Sequence, residues 1–225
     1  MSRIIVWGAS GHAKVLNEFL PRLGYELVAL FDNDPAIQTP FPGVPLYTGR
    51  SGFQAWLNLA KSGSGAGLET AGLVAIGGAR GKARLDIQRV LAASGLKPVI
   101  AVHPRAFVAT DALLGEGCQV LANAAVAAQA RLEEAVIVNT SASVDHECRI
   151  GRGAHIGPGA VLAGCVSVGE FSFIGTGAVV LPRIRIGKNV VIGAGAVVTR
   201  DVPDGMLSYG NPARIVRKNE NSQSE

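Results

Sequence analysis

The stretch CRIGRGAHIGPGAVLAGCVSV, residues 148–168, repeats one six-residue phrase. An aliphatic side chain stands at Ile150, Ile156, Leu162 and Val168, and a smaller one two residues before each, at Cys148, Ala154, Ala160 and Val166. The step of six holds upstream through Val102, Val108, Leu114, Val120, Val126, Leu132, Val138 and Val144, and downstream through Ile174, Val180, Ile186, Ile192 and Val198. In a strand, residues i and i−2 point to the same face. Each phrase therefore supplies one large and one small inward side chain and then turns a corner. Three phrases close a triangular coil of about 18 residues, and stacked coils bury a continuous aliphatic column between parallel strands. Glycine often follows the aliphatic (Gly115, Gly151, Gly157, Gly169, Gly175, Gly187, Gly193), where a corner is expected to use its backbone freedom.

Composition agrees with such a core. Of the 225 residues 48% are hydrophobic but only 5% aromatic, so the apolar mass is Ala, Val, Ile and Leu. A charged fraction of 17% excludes a mainly disordered chain, and the 29 glycines lack the collagen period. No apolar run approaches the ~20 residues of a transmembrane helix. The N-terminus enters a Gly-rich loop at Gly8, too early for a signal peptide. Three widely spaced cysteines, Cys118, Cys148 and Cys165, fit a reducing, cytoplasmic setting. A net charge of +4 with no basic run argues against nucleic acid.

Residues 1–101 follow another rule. Arg3–Trp7, Glu26–Phe31, Leu73–Ile76 and Lys97–Ala101 read as strands; His12–Leu23, Phe53–Lys61 and Arg80–Ala93 read as helices. Their alternation predicts a small Rossmann-like parallel α/β sheet. Pro35–Gly49 reads as a long loop, Ser62–Gly67 as a flexible surface loop, and residues 215–225 as a flexible tail. Three regions result: a domain over 1–101, a β-helix over 102–214, and the tail. The loop Gly8–Gly11 between strand and helix is suited to an anion. Asp32, at the end of the second strand, stands near the ribose position of a dinucleotide fold. On this domain alone an NAD-dependent enzyme, a nucleotide-sugar site and a ligand-free turn all remain open.

Among four histidines, His146 lies between Asp145 and Glu147 at or near a corner, where a neighbouring carboxylate can orient an imidazole base. His155 comes nine residues later, half a coil on. Within one chain the two therefore lie on opposite sides of the prism and converge only between copies, as around a threefold axis. Cys118 and Cys148 fall in the small inward series and read as inert core thiols. The histidine spacing leaves His103 remote, so no metal site is expected.

Three segments together carry a resemblance: Gly8-Ala9-Ser10-Gly11-His12-Ala13-Lys14-Val15, Ile76-Gly77-Gly78, and Asn139-Thr140-Ser141-Ala142-Ser143-Val144-Asp145-His146-Glu147-Cys148. They resemble the bacterial nucleotide-sugar acetyltransferases of surface-glycan (O-antigen type) synthesis. That family includes N-acetyltransferases of 4-amino-4,6-dideoxy sugars and relatives described as sialic acid O-acetyltransferases. The resemblance implies a left-handed β-helix, acetyl-CoA as co-substrate, a homotrimer with active sites between subunits, and a nucleotide-linked amino sugar as acceptor. It gives His146 the part of general base and Glu147 that of the acid raising its basicity. His155 matches a residue at the acetyl end of the cofactor, and Gly164, Thr176 and Ala194 match positions along the CoA channel. Arg214 matches a partner for a CoA phosphate. Ser10, Gly11, His12, Asp32, Asn33 and Gly77 match nucleotide-sugar contacts; at Gly78 relatives commonly carry Asn or Asp. O-acetylation of a glycan sugar and a non-catalytic trimeric scaffold are the alternatives.

Overall fold

The computed structural model describes residues 1–62 and 70–219. The chain forms two compact units, Met1–Ile76 with Asp86–Val99, and Gly77–Leu85 with the chain from Ile100 on. The segment Gly77–Leu85, placed in the first domain by sequence, thus groups with the repeat. Of the loop expected at Ser62–Gly67, all but Ser62 lies outside the described residues.

The first unit contains β1 (Ser2–Trp7), α1 (Gly11–Phe19), a 3-10 turn (Leu20–Leu23), β2 (Tyr25–Asp32), β3 (Leu46–Thr48), α2 (Gly49–Ser62) and β4 (Ala71–Val74). The helix α3 (Gly81–Ala93) crosses the division, and β5 (Lys97–Pro98) follows. All pairings are parallel, in the order β3-β2-β1-β4-β5. Strand β3 falls inside the expected Pro35–Gly49 loop; three residues pairing with Leu30–Asp32 are too few to show a period. The final strand expected at Lys97–Ala101 is two pieces, because Ala101–Val102 already pairs with Gln119–Val120 in the repeat. The scarce aromatics gather in this unit: Trp7, Phe31, Phe53 and Trp56 pack with ring centroids 5.3–6.3 Å apart.

The second unit is a left-handed parallel β-helix with three faces. Face I carries Ala101–Val102, Gln119–Val120, Ile137–Val138, His155–Ile156, Phe173–Ile174 and Val191–Ile192. Face II carries Phe107–Val108, Ala125–Val126, Ser143–Val144, Val161–Leu162, Val179–Val180 and Val197–Val198; face III runs from Leu113–Leu114 to Arg185–Ile186. Each strand is only two residues long and pairs with the strand 18 positions on, as Ser143↔Val161. The buried column consists of the two six-step series, with Val202 added at the end. Ser172, the polar member, is satisfied: its Oγ donates to the Gly187 carbonyl at 2.7 Å and accepts from the Val190 N–H at 2.9 Å.

The corners are built differently from the expectation. The glycines directly after the aliphatic are required by stacking, not by φ. A Cβ on Gly151 would lie 2.7 Å from the backbone of Glu170, and one on Gly157 would lie 2.6 Å from the Ile174 carbonyl. The left-handed position comes two residues later and recurs every six residues from Gly117 to Gly195, with φ between 53° and 73°. Nine of its occupants are not glycine: Asn123, Gln129, Ala135, Ser141, Glu147, Cys165, Phe171, Arg183 and Asn189. Each non-glycine costs about 1–2 kcal/mol there. From Ala135 on, the corner N–H donates to a carbonyl of the preceding coil, as from Glu147 to Ala128 at 2.9 Å and from Cys165 to His146 at 2.9 Å.

The chain leaves the coil through Met206–Tyr209 and an antiparallel partner, Arg214–Lys218, which extend face I. The tail expected from 215 is therefore strand as far as Lys218, held by backbone pairing although its side chains are exposed. Residues 220–225 lie outside the described part.

Candidate active site

His146 sits on the edge between faces II and III, after Ser143–Val144 and before Arg149–Ile150. Its side chain is 53% exposed, so the column packing leaves the ring available. The main-chain N–H of His146 donates to Asp145 Oδ1 at 2.7 Å, which fixes the corner. The ring Nδ1 lies 3.1 Å from Glu147 Oε2. An ionised carboxylate only accepts, so this contact puts the proton on Nδ1 and leaves the lone pair on Nε2. Glu147 reaches back to its neighbour because its own backbone is left-handed, at φ 58°.

Gly164 lies one coil further along the same edge. A Cβ there would overlap the His146 ring at Nε2. Its φ is not in the left-handed region, so alanine is tolerated by the backbone and the exposed ring has to move. Gly164→Ala should therefore displace the His146 ring and lower activity at least about tenfold if that ring takes part in the reaction, with little change in thermal stability. A variant with unchanged kcat would show that the ring position does not matter.

His155 is buried. It lies on face I, opposite the His146 edge, as the half-coil spacing requires. Its ring is buried, with Nε2 2.9 Å from Asn139 Nδ2, Nδ1 3.3 Å from the Gly78 carbonyl, and Phe173 edge-on at 5.2 Å. Both ring nitrogens are engaged within the chain, and Nδ1 holds the Gly77–Gly78 turn. A Cβ on Gly77 would lie 3.6 Å from His155 Cε1. Gly78 has φ 66°, a conformation that glycine fits best and that Asn or Asp tolerate.

Thr176 and Ala194 are exposed and follow face I strands, on the edge between faces I and II. His146 with Gly164, and Thr176 with Ala194, therefore flank opposite edges of face II. That face presents Phe107, Ala125, Ser143, Val161, Val179 and Val197 outward, with Phe107 62% and Val161 41% exposed. Arg214 opens the last strand, exposed, with Nη1 3.2 Å from the Ala213 carbonyl. On face III an open groove of about 1110 Å³ is lined by Arg131, Arg149 and Arg185 among others, and His146 is not part of it.

In the first unit, Ser10 is the N-cap of α1 without a side-chain capping bond, Gly11 and Asn33 are exposed, and His12 is half-buried. Asp32 accepts the Ala9 N–H on Oδ2 at 2.8 Å and the Asp34 N–H on Oδ1 at 3.1 Å. Its carboxylate braces the glycine loop. Gly8, with φ 111°, has the Ala75 carbonyl where a Cβ would be.

Nothing in the sequence pattern marks Arg84. Its guanidinium is fully buried, with Nε donating to the Ala135 carbonyl at 2.8 Å and Nη2 to those of Gly153 and Ala154 at 2.6 and 3.2 Å. Burial pulls its pKa down to about 10, so it keeps its charge at neutral pH. Burial also pushes the Cys118 thiol up to about 12 and the Cys148 thiol up to about 11, in line with inert core cysteines.

Comparison with known proteins follows the same division. The PglD N-terminal domain family matches residues 3–91, and the bacterial transferase hexapeptide family (six repeats) matches residues 165–200. PerB from Caulobacter crescentus, solved with CoA and GDP-perosamine, is 38% identical over 96% of this chain and 98% of its own, with a TM-score of 0.84. The acetyltransferase domain of PglB from Neisseria gonorrhoeae FA1090, solved with acetyl coenzyme A, is 37% identical over 96% and 99%, with a TM-score of 0.81. WeeI from Acinetobacter baumannii AYE is 26% identical over 96% and 100%, with a TM-score of 0.79. No curated protein matches.

Proposed function

The chain belongs to the PglD-like hexapeptide acetyltransferases, and from that membership we propose that it transfers the acetyl group of acetyl-CoA to the amine of a nucleotide-linked 4-amino-4,6-dideoxy sugar. The observation that carries the reading is the exposed His146, with Nδ1 held by Glu147 and Nε2 directed away from that contact. The neutral amine attacks the thioester carbonyl. Nε2 takes the amine proton, the tetrahedral oxyanion collapses with loss of the CoA thiolate, and the imidazolium returns its proton to that sulfur. A thioester is already activated, so positioning and one base suffice without an acyl-enzyme. During the step the Glu147 carboxylate faces a transient imidazolium.

Ser10, Gly11, His12, Asp32, Asn33 and Gly77 are the proposed nucleotide-sugar contacts. Gly164, Thr176, Ala194 and Arg214 are the proposed CoA contacts, and no metal takes part. The apolar outward ladder of face II supports association of three copies through that face. Such a trimer sets the His146 edge of one copy beside the Thr176–Ala194 edge of the next. His155, which holds the Gly77–Gly78 turn, is the proposed residue at the acetyl end of the cofactor.

The left-handed corner separates stability from activity at one residue. Glu147→Gly removes the carboxylate but suits φ 58° better than any L-residue. Folding stability should hold or rise, by up to about 1 kcal/mol, while activity falls about tenfold or more as the tautomer is released. A denaturant titration beside initial rates measures both. The reaction itself is tested by following acetylated product by mass with matched 4-amino and 4-hydroxy sugar nucleotides. Product from the amine alone is expected; acetylation of the hydroxyl acceptor instead would replace this reading with O-acetylation.

A further inference from the structure

We propose that His146, Glu147 and Cys165 form a binding site for a thiophilic divalent cation of the Zn²⁺ type, and that its occupation switches the base off. The ligating atoms of the three residues lie within 4.8 Å of one another. Glu147 Oε2 is 3.1 Å from His146 Nδ1 and 3.7 Å from Cys165 Sγ. Zinc bonds of about 2.0–2.3 Å to N, O and S in a tetrahedron put ligands about 3.3–3.7 Å apart, so small side-chain adjustments complete three of four positions. The fourth stays open to water, which makes the site reversible.

The site stands on the stacked corners. Glu147 and Cys165 occupy equivalent left-handed positions one coil apart, and the Cys165 N–H donates to the His146 carbonyl. The backbone therefore sets the separation of all three side chains. Cys118 and Cys148 are buried in the column with raised pKa values and do not compete. Histidine spacing alone missed the trio, because only one of its members is a histidine.

Metal binding replaces the Nδ1–H···Glu147 contact. The Cys165 thiol loses its proton to solvent, and the imidazole proton moves from Nδ1 to Nε2, so one proton is released per cation bound. With Nε2 protonated and Nδ1 on the metal, the ring has no lone pair for the acceptor amine. The switch rests on His146 acting as the base; the binding does not.

Binding is read first, without substrates or CoA, by titrating the full chain with Cd²⁺ and following the ultraviolet thiolate-to-metal charge-transfer band. The band is expected to saturate at one cation per chain in the wild type and to be absent from Cys165→Ser, which keeps a donor towards Glu147. Turnover is then followed by product mass with added Zn²⁺. Wild-type activity should fall toward the level of a base-less enzyme, about 10²–10⁴-fold, and return with EDTA. Cys165→Ser should match wild-type turnover without metal and resist the same Zn²⁺. No band in the wild type, or an equal band in Cys165→Ser, overturns the site. A normal band with undiminished wild-type turnover in Zn²⁺ overturns the switch. Failure of the acetyl-transfer reading would leave the Cd²⁺ titration unaffected, so the two are told apart.

Discussion

His146→Ala is expected to lower acetyl transfer about 10²–10⁴-fold, the usual scale for loss of a general base, with the fold unchanged. The stability half of this expectation comes from placement. The ring projects from an edge and is 53% exposed. The corner is held by the His146 N–H to Asp145 and by the His146 carbonyl, which accepts from Cys165, and both are main-chain groups that alanine keeps. The activity half comes from chemistry, since the attacking amine must shed its proton and nothing else on this edge offers an imidazole. KM for acetyl-CoA should change little, because in the proposed mechanism the ring acts on the acceptor's proton. Near-normal kcat in the variant would remove His146 from the mechanism.

Arg84→Ala should cost about 3 kcal/mol or more of stability, the largest single-residue effect expected here. The guanidinium makes charge-assisted bonds to three carbonyls, each such bond worth about 1.5–3 kcal/mol. Truncation removes the guanidinium donor from the Ala135 and Gly153 carbonyls, leaves the Ala154 carbonyl only the Ile137 N–H, and opens a void. One of them belongs to Ala135, a residue already in a left-handed corner at φ 55°. Arg84→Lys should recover only part of the loss, since a single ammonium cannot reproduce the planar fork. Denaturant unfolding measured for the three proteins checks this; a midpoint shift below about 0.5 kcal/mol for alanine would assign the bonds no net role.

The β-helix was readable because its rule is strictly local. One aliphatic every six residues, with a small side chain two before it, names every strand of the column and even the buried Ser172. The corners were only half readable. Glycines after the aliphatic looked conformational, yet they are there because the next coil passes within 3 Å of where a Cβ would be. That constraint acts across 18 residues and has no trace in a single phrase. The left-handed residue is hidden for the opposite reason: cross-coil hydrogen bonds fix it, so Glu147, Cys165 and Phe171 can occupy it. His146 and Glu147 were legible as adjacent residues of complementary chemistry. His155 was legible as to its side of the prism but not its burial, because the Gly78 carbonyl that meets it is 77 residues distant. The partners of Arg84 lie 51–70 residues away and that of Cys165 lies 18 away, one coil back.

The most direct test is a subunit-mixing measurement, because the proposed reaction site lies where two edges of face II from different copies meet. His146→Ala disables one edge, and Ala194→Trp fills the other. Each variant alone should be nearly inactive. Co-expressed in equal amounts as mixed oligomers, they should regain about a quarter of wild-type activity, since one site in four pairs two intact edges in random assembly. Activity no higher than the sum of the two separate variants would contradict the account.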